Sequence, residues 1–286
     1  MYIISTDLGS TNFKAIILKI HDTLDETSIE LVGKVRIKTT DFALFIYDII
    51  DRYDIGIDSI DKIIATGTGS SFLDDKFKGI DIIKIDEFNS IAYGGLILSK
   101  CDEAIIVSIG TGTTILYSNM EETIRLGGTG LGGGTLVGLS NAILTNELSK
   151  CDRIINFNEL IDIAKKGNKN NVDLLIGDIN NGNIGNMSKD ITAANFAGMN
   201  KKAKLEDYVA AVLNMILENI ALLIKALYKK GKIVLIGTLV SEVYVKDCLN
   251  KISEFTGNTF TFVDDSEYAI AIGAWEYYLL MIRKNY

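Results

Sequence analysis

The sequence predicts an α/β protein of two similar halves with an anion-binding cleft between them, and three observations carry that prediction. A strand, a short Gly/Thr turn and a returning strand open the chain, and the same pattern recurs about 100 residues later. Each of the two turns, Asp7-Leu8-Gly9-Ser10-Thr11-Asn12 and Gly110-Thr111-Gly112-Thr113, is small enough for its backbone to approach a phosphate. Finally, Gly127–Thr135 carries six glycines in nine residues directly before an apolar helical pattern.

The elements follow in order. Tyr2–Thr6 is a short buried strand, Phe13–Ile20 returns after the first turn, and Ile29–Lys38 supplies a third strand. Phe42, Phe45, Ile46, Ile49 and Ile50 fall on one side of a helix over Phe42–Tyr53. Lys62–Thr66 is a strand ending in Gly67-Thr68-Gly69, and Asp86–Leu98 is a helix after the strand-like Ile82–Ile85. The pattern then restarts with strands Glu103–Ile109 and Thr114–Ser118 and a helix over Leu136–Leu144. Tyr208–Tyr228 reads as a long apolar helix, Lys232–Ile236 as a strand ending at Gly237-Thr238, and Glu242–Thr256 as a helix. Thr259–Val263 and Ala269–Leu280 close the chain as strand and helix. Two halves of this kind describe the two-lobed actin/hexokinase-like arrangement, a duplicated ribonuclease H-like fold with nucleotide in the interlobe cleft. Residues 1–99 form the first lobe and 100–286 the second.

Composition narrows the function. With 286 residues, 48% hydrophobic and 23% charged, the chain can bury a sizeable core. The N-terminus turns polar within a few residues, and no uninterrupted run reaches the roughly 18 apolar residues of a spanning helix; the longest, Ile220–Leu227, suits a buried helix. The expectation is a cytoplasmic protein without a membrane partner. A net charge of −8 argues against a nucleic-acid surface. Cys101, Cys151 and Cys248 are widely spaced, form no CxxC pair and are read as structural, and with His21 the only histidine a zinc site is not expected. Any general base is therefore a carboxylate.

Three segments carry chemistry. In the first turn Gly9 admits close backbone approach, Ser10, Thr11 and Asn12 add donors, Lys14 offsets phosphate charge, and Asp7 at the strand end can hold Mg²⁺ through water; a plain polar hairpin turn is the alternative. The glycine run lacks the Gly-Lys-Ser/Thr of a Walker A loop, but placed before a helix its free N–H groups and the helix dipole would face an anion. Asp86-Glu87 opens a helix, where a carboxylate can accept a proton from a substrate hydroxyl or simply cap the helix, and spacing alone favours the cap. Arg125, two residues before the run, can bind a substrate carboxylate or stand exposed on the surface.

The segment Arg125–Leu139, RLGGTGLGGGTLVGL, closely resembles the glycine loop of type II (eukaryotic-like) pantothenate kinases. Other blocks agree in order: KIDEFNS at Lys84–Ser90, IGTGT at Ile109–Thr113, VDLLIGDI at Val172–Ile179, TAANFAG at Thr192–Gly198 and AIGA at Ala271–Ala274. The resemblance spans essentially the whole chain. It implies a homodimeric enzyme that uses ATP and Mg²⁺ to phosphorylate the primary hydroxyl of pantothenate, the first step of coenzyme A synthesis, with pantetheine as a further possible acceptor. It assigns Glu87 as catalytic carboxylate in contact with substrate, Arg125 and Gly127 as substrate-binding residues, and Asp7 as metal-holding residue. ATP is assigned to Asp7, Leu8, Gly9, Ser10, Thr11, Asn12, Phe13 and Lys14, to Gly110, Thr111, Gly112 and Thr113, to Gly130, Leu131, Gly132, Gly133 and Gly134, and to Gly237 and Thr238. Two features depart from the family pattern. Ser10 stands where a second Gly is commoner, and residues 238–243, TLVSEV, lack the expected small polar run that would contact adenosine.

Other members of the superfamily compete. The ATP-hydrolysing activator of 2-hydroxyacyl-CoA dehydratases shares the Asp-x-Gly-Ser-Thr opening, but it needs cysteines around an iron–sulfur cluster. The glycine loop here has none, and Cys151 lies well beyond it. A non-catalytic nucleotide-binding protein would have shed Glu87, Asp7 or a phosphate loop, and all are present. A sugar kinase is compatible with the fold alone.

Overall fold

The structure, a computed structural model, describes residues 1–22, 27–148, 154–180, 188–199, 202–227 and 231–284. The first sheet begins with β1 (Tyr2–Leu8), β2 (Phe13–Asp22) and β3 (Thr27–Ile37), paired antiparallel in succession. Helix α1 (Phe42–Tyr53) returns the chain to β4 (Ile60–Thr66), parallel to β1, and the hairpin β5 (Lys76–Phe77) and β6 (Ile80–Lys84) completes the order β3-β2-β1-β4-β6-β5. After α2 (Glu87–Ser99) the plan repeats with β7 (Glu103–Ile109), β8 (Thr113–Asn119) and β9 (Thr123–Thr129). Helices α3 (Gly133–Leu148) and α4 (Phe157–Ala164), strand β10 (Leu174–Leu175), helix α5 (Ile176–Asn180) and strand β11 (Thr192–Ala194) intervene before α6 (Leu205–Leu227). Then come β12 (Ile233–Ile236), α7 (Val243–Thr256), β13 (Phe260–Phe262) and α8 (Ala269–Lys284). The second sheet has the order β13-β12-β7-β8-β9. Its pairing runs parallel, parallel, antiparallel, antiparallel, the same sequence as β6-β4-β1-β2-β3 in the first. The duplication predicted from the two turns is thus a duplication of whole sheets.

β1 and β7 lie at the centre of their sheets and are buried on both faces. The Ile and Val content of β7 permits this, and in β1 the buried Ser5 and Thr6 hydroxyls donate to the carbonyls of Ala271 and Ile64. Phe45, Ile46 and Ile49 of α1 pack on the outer face of the first sheet, and Asp41 caps the helix by accepting from the Leu44 N–H. Helices α3, α4, α6 and α7 cover the outer face of the second sheet. The inner faces are covered crosswise. Ile91 and Leu96 of α2 pack under the second sheet against Ile106, Leu116 and Val234, although α2 follows the first. Ala271, Ala274 and Trp275 of α8 pack under the first sheet against Ile3, Ile16 and Ile64, although α8 follows the second. The two helices meet between the lobes at Gly94 and Gly273. A Cβ at Gly273 would press into Gly94 Cα at 2.9 Å, and one at Gly94 would overlap the Ala269 carbonyl. Ala271–Ala274 is therefore, at least in part, a helix-crossing motif.

Several details differ from the sequence reading. β9 was not expected, because Gly127 and Gly128 within it and Gly130 just after it hide the alternation of a strand; Gly127, Gly128 and Thr129 belong to it. α3 begins at Gly133 and not at Leu136, its first turn being made of glycines that by propensity read as loop. α4 is short, but its capping box, Asn156 with Glu159, marks it in retrospect. α6 has the length and composition to cross a membrane, yet Val209, Val212, Leu213, Ile216, Leu217 and Ile220 are buried in the core of the second lobe. Cys101 and Cys248 are free and half-buried, and Cys151 lies outside the described residues.

Candidate active site

Both hairpin turns lie where the central strands end, and they touch. Leu8 pairs with Phe13, so Asp7 and Leu8 remain strand residues and only Gly9–Asn12 form the first loop. The second is Gly110–Gly112, between β7 and β8. The Thr111 hydroxyl lies 3.2 Å from that of Ser10 and 3.1 Å from that of Thr11, which joins one lobe to the other across the cleft.

The glycine run is built onto the second loop. The N–H groups of Gly133 and Gly134, at the start of α3, donate to the carbonyls of Gly110 and Thr111 at 2.8 and 3.0 Å. A Cβ at Gly132 would stand 2.6 Å from Thr111 O, and one at Gly134 would stand 2.6 Å from Thr111 Cγ2. This corrects the expectation that the helix presents free N–H groups to an anion, since two of its first donors are already used. Gly132 is required because two backbones pack here with no side chain between them, and Gly134 because the methyl and carbonyl of Thr111 occupy the space of its side chain. Gly110 and Gly130 are different: a Cβ at either would meet nothing within 4 Å, so open space lies beside both. Thr135 braces the turn by donating its hydroxyl to Gly130 O and accepting from the Gly132 N–H. Leu131 packs against the second-lobe core, and its carbonyl accepts from the Thr113 hydroxyl at 2.7 Å.

Gly237 and Thr238 follow β12, the parallel neighbour of β7. Gly237 has φ +107°, and a Cβ there would meet Ile109 O at 2.5 Å, so this turn lies directly against the start of the second loop. Its N–H donates to Ser266 O at 2.8 Å, a partner that the sequence did not suggest.

The charged groups are arranged as follows. Asp7 and Lys14 are opposite one another on β1 and β2, both buried, with 3.8 Å between their charged atoms. Burial pushes the Asp7 carboxyl above its ordinary value, with Lys14 pulling it back. Gly67, which follows β4 with φ +85°, sits over this pair: a Cβ would lie 2.9 Å from Asp7 Oδ1. Gly67 and Gly69 were read only as the end of a strand, and the signal that marks them is their position after a strand adjacent to Asp7. At the N-terminus of α2 the two acidic residues divide the work. Asp86 is the N-cap, accepting from the Asn89 N–H at 2.9 Å, which leaves Glu87 free of capping. Glu87 is half-buried, and its carboxyl is pushed above the ordinary value by burial, then by the charges of Asp7 and Asp86. The Ser90 hydroxyl ties this first turn to Thr66 at the end of β4, at 2.9 Å.

Arg125 lies on β9 opposite Leu116, whose side chain packs with α2, so Arg125 projects from the face of the second sheet that α2 covers. Its guanidinium crosses Gly128, where a Cβ would come within 3.4 Å of Nη2. It is exposed and has no ion-pair partner among the described residues. A bulge at Leu126 turns Gly127 to the opposite face, where Leu227 of α6 fills the space of its missing side chain. Gly127 can offer a substrate only its backbone.

An unpaired cation, an uncapped carboxylate of raised pKa and two touching glycine turns are the groups a phosphoryl transfer requires: one to hold an anionic acceptor, one to take a proton, and backbone to receive phosphates. Comparison with known proteins is consistent with this. The sequence model of the Fumble family matches residues 14–275. A type II pantothenate kinase of Bacillus cereus (strain ATCC 14579) is 30% identical over 228 residues, covering 75% of this chain and 81% of that one. Among solved structures, the activator of the 2-hydroxyisocaproyl-CoA dehydratase from Clostridium difficile, with bound ADPNP, superposes with a TM-score of 0.67 at 17% identity, covering 100% of this chain and 97% of that one. A ROK family glucokinase from Streptomyces griseus, in complex with glucose and AMPPNP, gives 0.55 at 14% identity over 97% and 99%. At such identities these structures show the actin/hexokinase-like fold and nothing narrower.

Proposed function

The chain belongs to the Fumble family of type II pantothenate kinases, and from that premise we propose that it transfers the γ-phosphoryl group of ATP to the primary hydroxyl of pantothenate, the first step of coenzyme A synthesis. The observation that carries the reading is Glu87, a carboxylate released from capping by Asp86 and held in the field of Asp7 beside the phosphate turns.

Each group has a role. Gly9–Asn12 and Gly110–Thr113 receive the phosphates, with Gly130 bordering them from the glycine run whose later N–H groups are already used, and Thr111, Ser10 and Thr11 close the lobes over them. Gly237 and Thr238 border the nucleoside end. Arg125 holds the carboxylate of pantothenate, and the absence of a side chain at Gly128 gives its guanidinium room to lie flat. The hydroxyl oxygen attacks the γ-phosphorus as the bond to ADP breaks, and its proton passes to Glu87, which its raised pKa makes a stronger proton acceptor than an ordinary glutamate. Lys14 neutralises charge that Asp7 would otherwise bring to the phosphates.

Mg²⁺ fits this site in one way. Among the described residues no group of three or more His, Cys, Asp or Glu is placed to hold a metal. Asp7 offers a single buried carboxylate, which suits an ion that arrives on ATP and keeps most of its water. When bound, the ion offsets the charge that builds on the phosphates. The reading carries with it a cytoplasmic location and a homodimeric assembly. Pantetheine keeps the primary hydroxyl but lacks the carboxylate, so Arg125 would favour pantothenate over it.

ADP release with and without pantothenate, in wild type and in Glu87→Gln and Arg125→Ala variants, tests the assignment. Glu87→Gln loses on the order of 10²-fold or more in kcat. Arg125→Ala raises KM for pantothenate and leaves KM for ATP unchanged. Equal kcat in wild type and Glu87→Gln would remove Glu87 from the chemistry.

A further inference from the structure

Charged side chains form one row across the first sheet. Arg36 on β3 stands opposite Lys14 on β2, and Lys14 stands opposite Asp7 on β1, so all three project from one face. It is the inner face, because the next pair on that side is Ile16 with Lys34, and Ile16 packs against α8. Two cations are therefore direct neighbours in the row, an arrangement that is repulsive in a sheet. Lys14 is the buried one, 3.8 Å from Asp7 at the candidate phosphate site.

Arg36 is drawn off by the far end of the chain. Its Nη1 donates to Glu267 Oε2 at 2.8 Å, and Lys34, two residues earlier on β3, pairs with Asp265. Asp265 and Glu267 lie between β13 and α8, in a turn that the second lobe fixes. The Gly237 N–H donates to Ser266 O at 2.8 Å, Ser266 is buried, and the Tyr268 N–H donates to Asp265 O at 2.8 Å. Glu267 thus reaches Arg36 from a segment bonded directly to the Gly237 turn. An exposed ion pair is by itself worth little, but losing this one leaves an uncompensated guanidinium beside Lys14.

We propose that Glu267 is a positioning residue for the phosphate site: by holding Arg36 it leaves Lys14 to Asp7, and through Ser266 it ties that row of charges to the Gly237 turn. The inference rests on ATP binding at these turns. With Glu267 neutral, Arg36 repels Lys14 and competes with it for Asp7, and the charge that meets the phosphates changes. With Arg36 neutral as well, the intruding charge is gone and the Asp7–Lys14 pair stands as before.

The test is a double-mutant cycle of Glu267→Gln and Arg36→Gln, read as kcat/KM for ATP, KM for pantothenate and melting temperature. Glu267→Gln is expected to lower kcat/KM for ATP by about 3- to 10-fold, the size of an uncompensated charge at a partly solvated position, with KM for pantothenate unchanged. Arg36→Gln and the double variant stay within about 2-fold of wild type. Glu267→Asp, which keeps the charge, recovers most of the loss, and added salt narrows the Glu267→Gln deficit. A double variant no better than Glu267→Gln makes the pair a staple only and overturns the proposal, as does wild-type kcat/KM in Glu267→Gln. Absence of ATP-dependent turnover in wild type overturns the kinase reading itself, an outcome that no pattern among the variants imitates.

Discussion

Replacing Gly273 by alanine tests whether the α2–α8 crossing positions the candidate base. The added Cβ would lie 2.9 Å from Gly94 Cα and closer still to the Ser90 carbonyl. The Ser90 carbonyl oxygen is the tightest contact, and relieving it to about 3.3 Å separates the helices by more than about 1 Å. Neither has a simple escape, because α2 is packed under the second sheet and α8 under the first. Overpacking of this kind costs about 1–3 kcal/mol, or about 2–12 °C in Tm for a chain of this size. Glu87 is the first residue of α2, and Ser90, whose carbonyl takes the clash, also anchors that turn to Thr66. A shift of about 1 Å in a reacting group can cost about 10²-fold. The assays are urea unfolding followed by circular dichroism and steady-state kinetics on the fraction that folds. The expected result is a lower urea midpoint and a kcat reduced by one to two orders of magnitude, with KM for ATP little changed. A variant with wild-type midpoint and wild-type kcat would refute the claim that this crossing sets the site.

Other outcomes follow from the same geometry. The acid limb of kcat against pH falls with an apparent value above the ordinary glutamate 4.5, because burial and the charges of Asp7 and Asp86 raise Glu87. The same shift means that ionising Glu87 costs stability as pH rises from its unfolded value through its raised folded value. Glu87→Gln should therefore have the higher urea midpoint at neutral pH, with the gap closing below the unfolded value. Asp207 accepts from the N–H groups of Asn168 and Lys204 and from Asn171 Nδ2; burial alone would raise its carboxyl, and these donors hold it below the ordinary value. Asp207→Ala is expected to cost on the order of 3 kcal/mol, with wild type's advantage full at neutral pH and shrinking as pH falls through that lowered value. Gly138 lies inside α3, exposed, with open space where a Cβ would stand. Gly138→Ala should raise stability by about 0.5–1 kcal/mol, measured by thermal melting.

What the sequence disclosed depended on how local each cause is. Helix α1 was legible to its ends because its apolar spacing and the Asp41 cap lie within the segment itself. The duplicated strand–turn–strand was legible because each central strand has an apolar run followed by a short turn that needs glycine. The division of labour between Asp86 and Glu87 was not, since both are acidic and only the geometry shows which one caps. The glycine run was legible as unusual but not for its full reason. Gly132 and Gly134 answer to Thr111, and Gly127 answers to Leu227, both distant in sequence. The direction of Arg125 depends on a bulge at Leu126 that no spacing rule foretells. The roles of Gly94 and Gly273 appear only where the two lobes exchange helices.

The most direct test of the central claim is the product itself. Purified protein is incubated with ATP, Mg²⁺ and pantothenate, and the product is identified by mass spectrometry and phosphorus NMR. The account predicts one phosphate per pantothenate on the primary hydroxyl, with ADP formed in equal amount and only when pantothenate is present. ADP formed at the same rate without pantothenate, or no phosphorylated pantothenate at all, would contradict it.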